Sequence, residues 1–148
     1  MKTQTIHKSL VVPLSQDRAF RLFTDGLAEW WPVESHSISA GQKKRPQDLN
    51  IEPRLNGQIV ETLENGTTTV WGHFSAWNPP HSLVLEWYVG RSKDQATRVQ
   101  ADFEAHGDDT RLTLVHDRFE ALGEDGPDIS NNYQIGWDPV LTCYAAGI

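Results

Sequence analysis

The sequence predicts an α+β fold in which a curved antiparallel sheet wraps around a long C-terminal helix, with two short helices after the first strand. Three observations lead there. Asn56-Gly57 and Asn65-Gly66 are two-residue hairpin signals between strand-like segments. Arg98–His106 and Arg111–Asp117 alternate on either side of Gly107-Asp108-Asp109, the pattern of half-buried strands. Tyr133, Trp137, Val140, Leu141 and Tyr144 recur at intervals of three and four within Ile129–Ala146, which places them on one helical face.

The elements follow in order. Thr3–Val12 alternates, with Ile6, Leu10 and Val12 on one parity, and Pro13 stops this first strand. Ser15 caps a helix over Ser15–Thr24, Asp17 suits its first turn, and Ala19, Phe20, Leu22 and Phe23 form its apolar stripe. A short turn of helix, Leu27–Trp31, ends at Pro32. Residues 34–47 offer little to bury and read as a long loop. Strands are then expected at Leu49–Leu55, Gln58–Leu63, Thr68–Trp77, Ser82–Val89, Arg98–His106 and Arg111–Asp117, with Asn78-Pro79-Pro80 as a breaker. The last helix is expected at Ile129–Ala146, closed by Gly147 as a C′ residue and loosened at Pro139. Such a sheet around one helix leaves a wedge between them, either filled by side chains or kept as a pocket.

The chain has 148 residues, which suits one domain over 1–148. Thirteen Lys+Arg face 20 Asp+Glu, a net charge of −7 that argues against nucleic-acid binding. Lys43-Lys44-Arg45 is too short a basic run to reverse that balance. The lone Cys143 excludes an internal disulfide and a Cys-based zinc site, and it reads as a small buried hydrophobe. The six histidines lack metal-ligand spacing, and no metal or cofactor is expected. No apolar run approaches about 18 residues, so no membrane span is expected. The first five residues lack the apolar stretch of a signal peptide, and a cytoplasmic location follows as the expectation.

Several motifs stand in a definite order. Ala19-Phe20-x-x-Phe23-Thr24-x-Gly26 leads to Trp30-Trp31-Pro32, then Glu52-Pro53-Arg54-x-x-Gly57-x-x-x-Glu61. Trp71-Gly72, Trp77-Asn78-Pro79-Pro80, Thr110-Arg111-Leu112-Thr113-Leu114-x-His116 and Gly136-Trp137 complete the set. Together they resemble the activator-of-Hsp90-ATPase-homologue-1-like (AHSA1-like) branch of the START-like superfamily, also called SRPBCC. The resemblance implies the helix-grip fold, in agreement with the element order. Asn56 stands where the family commonly has a second glycine, and Asn tolerates the left-handed backbone a turn there needs.

Six tryptophans are many for a chain of this size. Trp30, Trp31, Trp71, Trp87 and Trp137, with Phe103 and Tyr133, are candidate ligand contacts, and each is equally a candidate for core packing. Glu61 sits mid-strand. It reads either as a polar anchor in the pocket, with a pKa raised by burial, or as a solvent-facing or Arg54-paired residue. His116 shares parity with Leu112 and Leu114, so it is either a hydrogen-bonded core residue or a pocket acid/base. The reading adopted is a module that binds a small hydrophobic or aromatic molecule between sheet and C-terminal helix. Trp71, Phe103 and Trp137 would touch its apolar body, and Glu61 and His116 its polar groups. Residues 34–47 and the Trp30-Trp31 turn would border the entrance. No catalytic residue is assigned. The rivals are a cyclase- or hydrolase-type enzyme using Glu61 and His116, and an Hsp90-type chaperone partner. A homodimer is compatible with the adopted reading.

Overall fold

Seven strands pair edge to edge in a curled sheet, and a C-terminal helix lies against its inner face. The computed structural model describes residues 4–148, so the expected strand start at Thr3 lies outside the described residues. The strands are β1 (Ile6–Val12), β2 (Asp48–Ile51), β3 (Gln58–Thr62), β4 (Thr68–Asn78), β5 (Ser82–Trp87), β6 (Thr97–His106) and β7 (Asp109–Asp117). Their order is β1-β7-β6-β5-β4-β3-β2, every neighbouring pair antiparallel. Successive hairpins build β2 to β7, and β1 returns beside β7, pairing Ile6 with His116 and Leu10 with Leu112. The helices are α1 (Gln16–Phe23), α2 (Leu27–Trp30), α3 (Ile38–Gly41) and α4 (Gly126–Ala146). This is the helix-grip arrangement the sequence predicts.

The period of two decides which side chains fill the interior. On β6, Thr97, Val99, Ala101 and Phe103 are buried, and on β7 so are Thr110, Leu112, Leu114 and His116. They face one another in register, Val99 opposite His116 and Phe103 opposite Leu112. On β4 the alternation is broken by register shifts at Ile59/Val60 and Phe74/Ala76, so Trp71, Gly72 and Phe74 are all buried. Ser15 caps α1 by accepting from the Arg18 N–H, as expected. Tyr144 near the end of α4 donates its hydroxyl to Ala19 O at 2.8 Å, tying α4 to α1.

Five expectations need correction. The segment 34–47 is not wholly irregular: α3 forms within it, capped by Ser37 accepting from the Ala40 N–H. Asn56-Gly57 is not a two-residue hairpin. β2 ends at Ile51 and a loop spans 52–57, in which Pro53 has no N–H to extend the ladder and Asn56 takes a φ of 64°. The last helix begins three residues early, because Pro127 occupies its first turn, where a missing N–H costs nothing. Gly147 caps α4 with right-handed backbone (φ −76°), so left-handedness is not its reason. A Cβ there would make a tight contact, 3.1 Å from Trp30 Cβ. Cys143 is half-buried and packs against the core edge rather than within it.

Candidate functional site

A cavity of about 280 Å³ lies between sheet and α4, partly open to solvent. Trp31 and residues 35–38 form one side, and Trp71 from β4 with Trp87 and Val89 from the β5 end form the sheet side. α4 contributes Asn132, Tyr133, Gly136, Trp137 and Val140. Four tryptophans and a tyrosine thus stand in one wall. Trp31 is the hub, its ring centroid 5.3 Å from Trp71, 5.9 Å from Trp87 and 6.0 Å from Trp137. The Trp31–Trp137 planes stand at 88°, and Trp71 meets Trp87 at 70°, the edge-to-face geometry that ring quadrupoles favour. The rings pack on one another and line the cavity at once.

The indole N–H groups are not aimed into this space. Trp31 Nε1 donates to His36 O at 2.6 Å, Trp71 Nε1 to Glu61 at 2.9 Å, Trp87 Nε1 to the Tyr133 hydroxyl at 2.9 Å and Trp137 Nε1 to His116 Nδ1 at 3.0 Å. Each donor is satisfied within the protein, and each ring is held in one orientation by it. What the wall tryptophans present to the cavity is ring surface. The Tyr133 oxygen accepts from Trp87, which leaves its own proton available.

Glu61 lies beneath the wall, fully buried. Oε1 accepts from Ile38 N–H and Trp71 Nε1, each at 2.9 Å. Oε2 accepts from Ser39 N–H at 2.9 Å and the Ser39 hydroxyl at 2.5 Å. Burial pushes this carboxyl upward, but the hydrogen bonds from Ser39, Ile38 and Trp71 outweigh it, and the net shift is below the ordinary value of 4.5. The expected rise is thus corrected to a fall. Arg54 does not pair with it; Arg54 Nη2 binds Glu52 at 2.6 Å. Glu61 pins the 38–39 backbone and the Trp71 ring, two parts of the cavity wall, to the sheet.

His116 is equally enclosed, at 0 % exposure. An indole can only donate, so Nδ1 accepts from Trp137. The other nitrogen must then carry the proton and donates to Thr97 Oγ1 at 2.7 Å, while Thr97 passes its own proton to Trp87 O at 3.0 Å. This network assigns the neutral Nε2–H tautomer. Burial drives the imidazole pKa down to about 3, with only a partial counter-pull from Asp117. Both nitrogens are engaged, and His116 has none left for a substrate proton.

Five of the nine expected contacts line the cavity: Trp31, Trp71, Trp87, Tyr133 and Trp137. Four do not. Trp30 packs against Phe23 and Tyr144 and donates to Leu22 O. Phe103 sits edge-on to Phe20 and Phe23. Glu61 and His116 touch the wall from behind. Sequence reasoning passed over Asn132, Gly136 and Val140 as wall residues, although helical spacing joins them: Asn132 and Val140 are one turn either side of Gly136. It also gave no reason to pick His36, which lies near Gly136, with His36 Nε2 3.7 Å from where a Gly136 Cβ would be. Among the described residues no group of three His, Cys, Asp or Glu could hold a metal, and no helix is long and apolar enough to cross a membrane.

Comparison with known proteins adds relatives. The family profile described as activator of Hsp90 ATPase homolog 1-like protein matches residues 13–142. No curated protein sequence matches the chain. Among solved structures, an anthrahydroquino-gamma-pyrone synthase, solved as a complex, is 32 % identical over 84 % of this chain and 83 % of its own, with a TM-score of 0.61. A self-sacrificing resistance protein from Micromonospora echinospora is 21 % identical, covering 98 % of this chain and 94 % of its own at a TM-score of 0.66. The Aha1 dimer from Colwellia psychrerythraea is 14 % identical, covering 94 % and 91 % at 0.66. The last two likenesses show the fold alone.

Proposed function

The chain belongs to the activator of Hsp90 ATPase homolog 1-like family, and on that premise we propose that it binds a flat, polycyclic aromatic molecule in the tryptophan-walled cavity. The observation that carries this reading is the set of four cavity tryptophans whose N–H groups are all satisfied inside the protein. A wall that offers ring faces and edges, with few polar groups, suits a ligand of the same character. Holding the rings in place beforehand lowers the ordering cost of binding. The Tyr133 hydroxyl supplies one directional contact, as a donor to a carbonyl or phenol oxygen. The relative at 32 % identity is an anthrahydroquino-gamma-pyrone synthase, and a name of that chemistry fits such a wall.

The same relative favours a second reading, an enzyme acting on an aromatic polyketide-like substrate. The titratable side chains in the cavity wall are then His36 and Tyr133, and Glu61 and His116 act by holding the wall. Titration with anthraquinone, a flavone and a fatty acid, read by tryptophan fluorescence and thermal shift, tests the binding reading. Quenching and a raised Tm with the planar probes are expected. A response to the fatty acid alone, or to none of the three, would overturn it. Chemical change of a bound planar probe during the titration would move the assignment to the enzyme.

A further inference from the structure

A second cavity, of about 210 Å³, adjoins the first and shares Trp87, Val89, Asn132 and Tyr133 with it. The Trp87–Tyr133 hydrogen bond joins two of the residues common to both walls. The wall chemistries differ. Among the described residues the first contains no Lys or Arg, whereas the second contains Arg91. Arg91 is largely covered, with a side-chain exposure of 27 %, and its one ion pair among the described residues is a 3.4 Å contact to the exposed carboxylate of Asp125. That is a long contact for a guanidinium, well beyond the bidentate geometry of about 2.8 Å that such groups favour. By contrast Arg98 is held at 2.9 and 2.6 Å by both oxygens of Asp117. Asn132 is common to both cavities, and its carboxamide has no hydrogen-bond partner among the described residues.

We propose that the second cavity is a subsite for an acidic substituent, a carboxylate above all, carried by the aromatic ligand of the first cavity, with Arg91 as its charge partner. This inference rests on the aromatic-cage reading given above. The ring system lies among Trp31, Trp71 and Trp137, and its substituent passes Tyr133 toward Arg91. Tyr133 stands where both parts meet. Burial raises its hydroxyl pKa overall, and the Trp87 hydrogen bond and the positive charge of Arg91 pull against that rise, so Arg91 acts on this point of the wall. A carboxylate there exchanges the loose Asp125 contact for a shorter one in a less exposed place, where a charge pair is screened less. The protein as a whole is acidic, at −7, so attraction to an anion must come from this local cation and not from the overall field.

Two probes of equal ring system separate this inference from the one beneath it: anthraquinone-2-carboxylate and 2-hydroxymethylanthraquinone. Both are titrated by tryptophan fluorescence into the full chain and into R91Q and D125N. The wild-type protein is expected to bind the carboxylate about two- to fivefold more tightly than the neutral probe, the scale of one partly exposed charge pair. R91Q should abolish that preference and leave the neutral probe within about twofold. D125N, which removes the competing carboxylate and stands in for R91Q should that variant not fold, should strengthen carboxylate binding alone. Raised salt should weaken the carboxylate and spare the neutral probe. Equal affinity of the two probes in the wild-type protein, or a preference that survives R91Q, overturns the acidic subsite while leaving the cage intact. Failure of both probes to bind overturns the cage, and the subsite with it.

Discussion

Trp137 donates its indole N–H to Nδ1 of His116 at 3.0 Å, and that one contact fixes the imidazole's state. A protonated imidazole has a hydrogen on both nitrogens. It could not accept from Trp137, so charging His116 would break the bond that orients a cavity wall. Geometry and burial oppose the same proton.

A pH dependence follows. In the unfolded chain this histidine takes a proton near pH 6.5, and in the folded protein only near pH 3. Between those values the unfolded state binds more protons, so acid favours unfolding. The stabilising contribution is present in full above about pH 6.5 and falls by up to about 1.4 kcal/mol for each pH unit below it. Urea midpoints measured across that range should show the slope. In His116→Gln, which can still accept and donate but does not titrate, the slope should flatten. An unchanged slope in that variant would show that other groups cause it.

Glu61 makes a separate, more acidic contribution. Its folded pKa lies below 4.5, so its stabilisation is held above that value and lost as pH falls through the folded pKa. Glu61→Gln keeps the shape but replaces one acceptor oxygen with an NH2 group facing donors. A loss of about 2–4 kcal/mol is expected, the range for unmaking buried hydrogen bonds to a charged group. One of the Ile38 and Ser39 amides, which bind different oxygens, should also lose protection in hydrogen exchange, because its acceptor is gone. Unchanged stability and protection would remove Glu61 from its anchoring role.

These two residues show what a sequence can and cannot disclose. The parity of Leu112, Leu114 and His116 placed the histidine on the inner face, since alternation is a local property of a strand. Its partners Thr97 and Trp137 lie 19 and 21 residues away, and only the folded sheet and helix bring them there. For Glu61 the difficulty is greater. Two of its four donors are backbone N–H groups, which every residue but proline carries, so no side-chain pattern marks them. Arg54 looked like a partner because it is close in sequence, yet it pairs with the still closer Glu52. The strands were legible from period and turn residues. The bulges in β4 were not, because a shifted register leaves no mark in a run already rich in β-branched and aromatic residues.

Gly72 provides a test of the sheet itself. A Cβ there would lie 2.3 Å from Glu86 O, against backbone of the paired strand and not a movable side chain. Gly72→Ala must therefore part β4 from β5, at a cost of about 2–4 kcal/mol. Gly41 in α3 has nothing within 4 Å of the same position. Gly41→Ala should be neutral, or stabilising by up to about 1 kcal/mol, as the unfolded chain loses freedom. Thermal or urea unfolding of the pair measures the contrast. Similar stability for the two would mean that β4 and β5 separate readily.

Tyr133 is the point at which stability and ligand binding can be told apart. Tyr133→Phe keeps the ring beside His116 and Trp137 but removes the acceptor of the Trp87 N–H. A buried indole donor then lacks a partner, and about 1–2 kcal/mol of stability should be lost. Under the proposed function the variant also loses the donor to a ligand oxygen. Anthraquinone, which carries carbonyl oxygens, should bind about 3- to 10-fold more weakly, the scale of one neutral hydrogen bond. Anthracene, of the same shape without oxygens, has no use for that hydroxyl and should bind both proteins alike. Equal losses for the two probes would mean that the substitution had loosened the cage through Trp87 and that the hydroxyl makes no contact of its own. A loss confined to anthraquinone would assign the hydroxyl its polar role, because only the carbonyl distinguishes the two probes.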